Sequence, residues 1–280
     1  MKRQLFCQIS PLCYTLSVWK GCMIRRMRDF FSMERFATKK TEKVLPALLY
    51  KHKSLILRRL GKVDMRLQKN KAVNLSLASP YVDGVMIRPG ETFSLWRLVG
   101  RTSTSMGYRD GLMIKQGEPS SGIGGGLCQL SNLIHWLVLH SPLDITERHH
   151  HDGFDLFPDF GRQVPFGVGT SISYNYLDYR FKNNTTQTFQ LFIKVEGRFL
   201  CGELRAEHPL DIKYHIHAKD EHFRQIDKTW YREGEVWRTC IEKATGKQLS
   251  NELLQKNHAK VMYELPQDVK KESAKRSFIA

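Results

Sequence analysis

The chain has 280 residues, 41% hydrophobic and 11% aromatic, which excludes a disordered polypeptide and suits one large core or two small ones. Its net charge of +16 is uneven: residues 1–70 hold 17 Lys/Arg against 4 Asp/Glu, a net of +13, while the rest hold 27 against 24, a net of +3. No apolar window reaches the roughly 18 residues of a membrane span, and six scattered cysteines without a CxxC pair point to free thiols in a reducing compartment instead of a disulfide scaffold.

The apolar stretch from Ile9 to Val18 is broken by Ser10, Pro11, Thr15 and Ser17, and a basic run follows it without a small-residue cleavage site. It does not read as a signal peptide, so a cytoplasmic chain is expected, peripheral at most to the inner face of the membrane. Residues 12–70 read as helices. Phe30, Phe31, Met33 and Phe36, then Leu45, Leu48 and Leu49, then Leu55, Ile56, Leu57 and Leu60 recur at helical spacing up to Gly61. Such a stripe is expected to pack on the protein's own core, ahead of lying in a membrane interface. The basic face reads first as solvated, then as a surface for anionic lipid. Nucleic acid is disfavoured, because no recognition motif accompanies the charge.

Lys71 to Ala78 continues as another helix. From Val85 the period changes. Ile87 to Ser94 reads as strand, Pro-Gly turn and strand, and Gly100, Gly107, Gly111 and Gly117 punctuate short hairpin segments. Leu127 to Leu139 is the clearest helix, with Leu130, Leu133, Ile134, Leu137 and Val138 in one stripe and Ser141-Pro142 ending it. Strands are expected over Asp144–His151, Val168–Tyr179 and Gln187–Val195, and in short pieces after Pro209. The segments divide as 1–70 (basic, helical), 71–210 (core), 211–265 (β-rich extension) and 266–280 (loose tail). The expected fold class is α+β: a basic helical N-terminal region on a mostly antiparallel sheet, with one buried central helix.

The chemistry-bearing stretch is Gly124-Gly125-Gly126-Leu127-Cys128-Gln129-Leu130-Ser131, followed by Glu147-Arg148-His149-His150-His151. Glycines let the chain turn tightly into the helix, and a thiol at a helix start is biased towards thiolate by the dipole and free N–H groups. On a strand over 145–151, His149 and His151 share a face with Glu147, while His150 points the other way. His149 and His151 are therefore the candidate bases for a Cys128 nucleophile, with Asp178, and Asp152 behind it, as the group that orients them. A thiol hydrolase or acyltransferase is the enzymatic reading. Gly124, Gly125, Gly126, Gln129, Ser131, Glu147, Arg148 and His150 would line the ligand pocket. A metal held by Cys128, His149 and His151 is a weaker alternative, because H-x-H is the only tight ligand spacing. No cofactor is expected: no Lys-Ser/Thr follows the glycines, so the loop is not a P-loop, and G-x-G-x-x-G in a dinucleotide setting is absent. A structural reading stands beside these, with Cys128 a small buried hydrophobe and the glycines allowing close packing.

These residues also carry a resemblance. IRPGETFSLWRLVG at 87–100, GGGLCQLSNLIHWLVLHSPLDITERHHH at 124–151 and LDYRFKNNT at 177–185 resemble the VanW family. The resemblance covers roughly 71–210. It implies an accessory role in glycopeptide resistance or cell-envelope biology, with a small or peptide-like envelope-related ligand, and it implies no established reaction. Many such proteins carry the domain outside the cell after a membrane anchor, an arrangement the sequence does not show. The competing reading is a non-catalytic module that docks on a membrane surface or a protein partner through residues 1–70.

Overall fold

In the computed structural model, the described residues are 6–58, 64–115, 118–150, 153–159, 163–174, 176–267 and 269. The fold is α+β, as the sequence led us to expect. Helix α1 (Pro11–Phe31) starts where Ser10 accepts the Cys13 N–H at 3.2 Å and Pro11 takes the first turn. Strands β1 (Arg35–Phe36) and β2 (Ala47–Leu55) follow, then α2 (Met65–Val82), capped by the Asp64 carboxylate on Arg66 N at 2.7 Å. Next come β3 (Val85–Ile87), β4 (Glu91–Ser94), the short α3 (Leu95–Val99), the hairpin β5 (Asp110–Lys115) and β6 (Glu118–Ile123), and α4 (Cys128–Leu139). The remaining elements are strands: β7 (Asp144–Glu147), β8 (Phe154–Asp155), β9 (Arg180–Lys182), β10 (Phe189–Glu196), β11 (Phe199–Ala206), β12 (Ile212–Ile226), β13 (Thr229–Glu242) and β14 (Gln248–Val261).

The strands form three four-stranded sheets in the orders β2-β11-β10-β3, β1-β4-β9-β7 and β12-β13-β14-β8, beside the β5-β6 hairpin. Helices α2 and α4 pack on the first sheet. Strand β11 alternates, burying Leu200, Gly202, Leu204 and Ala206, and that face takes α4 (period two meeting period 3.6). The approach is close enough that a methyl at Gly202 would stand 2.9 Å from Leu137 Cδ1. Leu75, Ile87, Phe93, Leu130, Ile134, Leu137, Tyr179, Phe181 and Leu191 belong to the main core. A second cluster of Trp136, Leu139, Val168, Ile216 and Val236 joins α4 to the β12–β14 sheet. The first sheet has one margin at β3, where residues 39–41 run alongside through Met86 N to Lys39 O and Thr41 N to Gly84 O. Its other margin is β2, with Lys51 and Lys53 exposed.

Four expectations change. Residues 45–58 are not helical, and 59–63 lie outside the described residues: β2 occupies 47–55, paired antiparallel to β11 from Ala47↔Ala206 to Leu55↔Phe199. The backbone edge of β11 outweighs the local leucine spacing, as tertiary pairing commonly overrides propensity. The strand expected at 144–151 ends at Glu147 after an irregularity between Ile145 and Glu147, and the described residues of 168–179 carry only the isolated bridge Ser173↔Leu177. The apolar stripe of α1 does not pack on the core: none of its residues is buried.

Candidate functional site

Two groups of side chains converge on the segment 167–173. On one side stands the start of α4. Gly125 makes the tight turn possible, because a methyl there would stand 2.1 Å from the Gly111 carbonyl oxygen. The Cys128 sulfur accepts the Ile172 backbone N–H. Desolvation nevertheless raises the thiol above its ordinary range, so the expected bias towards thiolate is overturned by burial. Ser131 is buried, 2.6 Å from Thr170 Oγ1. Asn132 Oδ1 accepts from both the N–H and the hydroxyl of Thr170, at 2.6 and 2.8 Å. Gln129 reaches away to Ser54 Oγ and Leu55 O at 2.8 and 3.0 Å.

On the other side lies the ERHH segment. Arg148 donates to the carbonyls of Gly167 and Gly169, at 2.6 and 3.1 Å from Nη2. His150 Nδ1 lies 3.2 Å from Gly169 O, and the His149 carbonyl accepts the Ser171 N–H at 2.7 Å. The imidazole of His149 turns the other way, with Nε2 2.8 Å from Glu147 Oε1. His151 and Asp152 lie outside the described residues.

Glu147 is the hub of a charged cluster that spacing alone did not show. It accepts a bidentate pair from Arg25 of α1 at 2.6 and 2.8 Å, together with the Asp178 N–H at 2.9 Å. Burial alone would raise its carboxyl; the bonds from Arg25, Asp178 N–H and His149 outweigh that and hold it below the usual range. The Asp178 carboxylate accepts from Ser94 Oγ (2.5 Å), Trp96 N (3.1 Å), Tyr179 N (2.8 Å) and Arg180 Nε (2.8 Å). Arg180 is forked onto Asp29 of α1, both bonds 2.7 Å. Helix α1 thus rests on this cluster through Arg25 and Asp29. Gly21 lets it sit close, since a methyl there would stand 2.8 Å from the Tyr176 ring.

The structure therefore brings Glu147, His149 and Asp178 into one cluster and Cys128 with Ser131 into another, and the carboxylate bonded to His149 is that of Glu147. A cavity of about 190 Å³ lies further along α4, lined by His135, Leu139, Ile145, Arg148, Gly167, Val168, Val236, Leu254 and Gln255. Of the described candidate residues, Arg148 alone lines it. Burial holds His135 well below the ordinary imidazole range, with Arg148, His150 and Arg238 adding to the effect, and its Nδ1 lies 3.1 Å from Tyr179 OH. Among the described residues, no group of three or more His, Cys, Asp or Glu side chains is placed to hold a metal ion. Sequence reasoning missed Arg25, Asp29, Arg180, Asn132 and Thr170. Arg25, Asp29 and Asn132 find partners between 38 and 151 positions away, and the local signals were the i, i+2 pairs Glu147 with His149 and Asp178 with Arg180.

Fold and site together define an α+β protein in which a glycine loop opens a buried cysteine-headed helix beside a histidine-bearing strand end. Residues 70–205 match the family model described as VanW like protein. Over 228 residues the chain is 33% identical to the vancomycin B-type resistance protein VanW of Enterococcus faecalis (strain ATCC 700802 / V583), covering 81% of this chain and 82% of that protein. The chain belongs to the VanW family. It is also 32% identical over 132 residues to the uncharacterized protein YoaR of Bacillus subtilis (strain 168), covering 46% of this chain and 41% of that one. No solved structure matches significantly.

Proposed function

We propose that the chain is an accessory protein of cell-envelope biology, tied to glycopeptide resistance as the name of its Enterococcus relative indicates, that works at an anionic membrane surface at the inner face. The observation behind this reading is the orientation of α1. Its inner face is spent on Arg25 and Asp29 against the body. At 100° per residue, Leu12, Leu16, Trp19, Met23, Met27 and Phe30 fall on one arc away from that face, flanked by Arg26 on one side and Lys20 on the other. That arc is exposed, Phe30 to 81% and Trp19 to 63%. An outward apolar arc edged by cations is the pattern of a helix lying in the plane of an anionic bilayer. Among the described residues, no helix is long and apolar enough to cross one. Co-sedimentation with vesicles tests the reading. Wild type should bind phosphatidylglycerol-containing vesicles and leave phosphatidylcholine ones. Trp19→Glu with Phe30→Glu should weaken that binding by about 100-fold, roughly tenfold per lost side chain. Equal binding by the double variant would refute it.

The second reading, thiol chemistry at Cys128 on an envelope-derived ligand, rests on the Ile172 N–H aimed at the sulfur. It requires iodoacetamide to alkylate Cys128 ahead of Cys201 at neutral pH; slower alkylation of Cys128 than of Cys201 rules it out.

A further inference from the structure

No lysine follows the glycines in sequence, yet the fold supplies one from α2. Gln68, Lys71 and Asn74 recur three apart, and all are buried. Asn74 is fully engaged: its amide donates to the carbonyls of Gly125 and Arg109, both at 2.9 Å, and accepts the Arg109 N–H at 2.8 Å. One turn back, the stem of Lys71 lies flat on Gly126 (φ +91°), where a methyl would stand 2.2 Å from its Cγ and 2.7 Å from its Cδ. Lys71 is only 8% exposed. Among the described residues, neither a hydrogen bond nor an ion pair reaches its ammonium, and the charge that acts on it is a second cation, Arg58. A further turn back, Gln68 is completely buried, and both its Oε1 and its Nε2 lack a partner. Where the loop enters α4, the Gln129, Leu130 and Ser131 N–H groups turn inward to the Gly126 and Leu127 carbonyls. Those of Gly126 and Leu127 find no backbone acceptor among the described residues.

We propose that α2 and the triple-glycine loop form a binding site for a phosphoryl group, a phosphate monoester or a pyrophosphate, with Lys71, Gln68 and the loop N–H groups as its donors. A solvent-touched ammonium on a buried stem, two unspent N–H groups at the positive end of a 12-residue helix and, one turn back along α2, a buried amide without a partner make a donor-rich region that lacks a negative charge. An unpaired buried amide is costly, and a bound anion gives it a partner and neutralises the ammonium. A carboxylate offers two oxygens to these four donors, whereas a phosphoryl group offers three or more, and a protonated phosphate oxygen gives Gln68 Oε1 its donor. Burial and the nearby Arg58 also lower the Lys71 ammonium to about 8, a direction that a bound anion would reverse. The site does not involve α1, so it stands apart from the membrane reading.

Thermal unfolding of the full chain decides the matter, with inorganic pyrophosphate as probe and sodium chloride at matched ionic strength as control. Wild type should melt higher in pyrophosphate than in the chloride control, with a saturable concentration dependence. Lys71→Met keeps the buried stem and removes the ammonium, so it should keep the fold and lose the pyrophosphate shift. Gln68→Leu should weaken the shift and serves as the second variant should Lys71→Met not fold. Hexyl phosphate distinguishes the sources: a larger shift than from inorganic phosphate supports a phosphoryl group on a lipid, an equal one a free phosphate compound. No shift in wild type, or equal shifts in wild type and both variants, would overturn the proposal.

Discussion

Helices α1 and α4 are both rich in apolar residues, and the fold treats them in opposite ways. In α4, 9 of 12 residues are buried; in α1, 21 residues long, none is. What anchors α4 is shape against β11 and the second cluster, non-polar and dependent on close contact. What anchors α1 is charge, through two forked ion pairs to Glu147 and Arg180. Helical spacing of apolar residues says that one face is apolar and leaves open which way it points. The partner of the polar face decides that.

The contrast can be broken most strongly in α4. Leu137→Ala should cost about 2–5 kcal/mol in urea unfolding, because the packing against Gly202 and the main core cannot collapse into the gap. A cost below about 1 kcal/mol would mean that α4 is not the keystone described. Acid should act next, and again through α4. Burial lowers His140 to about 4 and His135 well below its ordinary value, so the folded state resists protons that the unfolded chain accepts near 6.5. That stability is complete above the unfolded value and is lost as pH falls from about 6.5 towards 4, by about 3 kcal/mol for His140 alone. Urea midpoints at neutral pH and near the lower value should show the fall, and His140→Asn should flatten it. The smallest effect belongs to α1: Phe30→Ser, at an 81% exposed site, should change stability by no more than about 0.5 kcal/mol. A larger loss would place Phe30 in a core contact.

What was legible in the sequence was mostly local. The α4 stripe, the Pro-Gly turn between β3 and β4, and β10 each carry their period within a few residues, and the glycine and histidine motifs carried the family. Residues 47–55 misled because their leucines fit a helix, whereas their actual partner, β11, lies about 150 positions on. The Glu147 cluster was half legible, since His149 sits two residues away while Arg25 and Arg180 come from distant segments. Lys71 and Gln68 were illegible for another reason. Polar residues on a helix ordinarily face water, whereas the close approach of Gly126 covers the Lys71 stem and Gln68 is wholly buried.

The two margins of the first sheet differ in how they are closed, and this bears on handling the protein at high concentration. The β3 side is occupied by the chain's own residues 39–41. The β2 side presents Lys51 and Lys53, so a second copy adding there as a strand would bring ammonium groups together. Acetylating these lysines or raising the ionic strength removes that repulsion, and low-salt storage of the unmodified chain is the condition that resists strand-by-strand self-association.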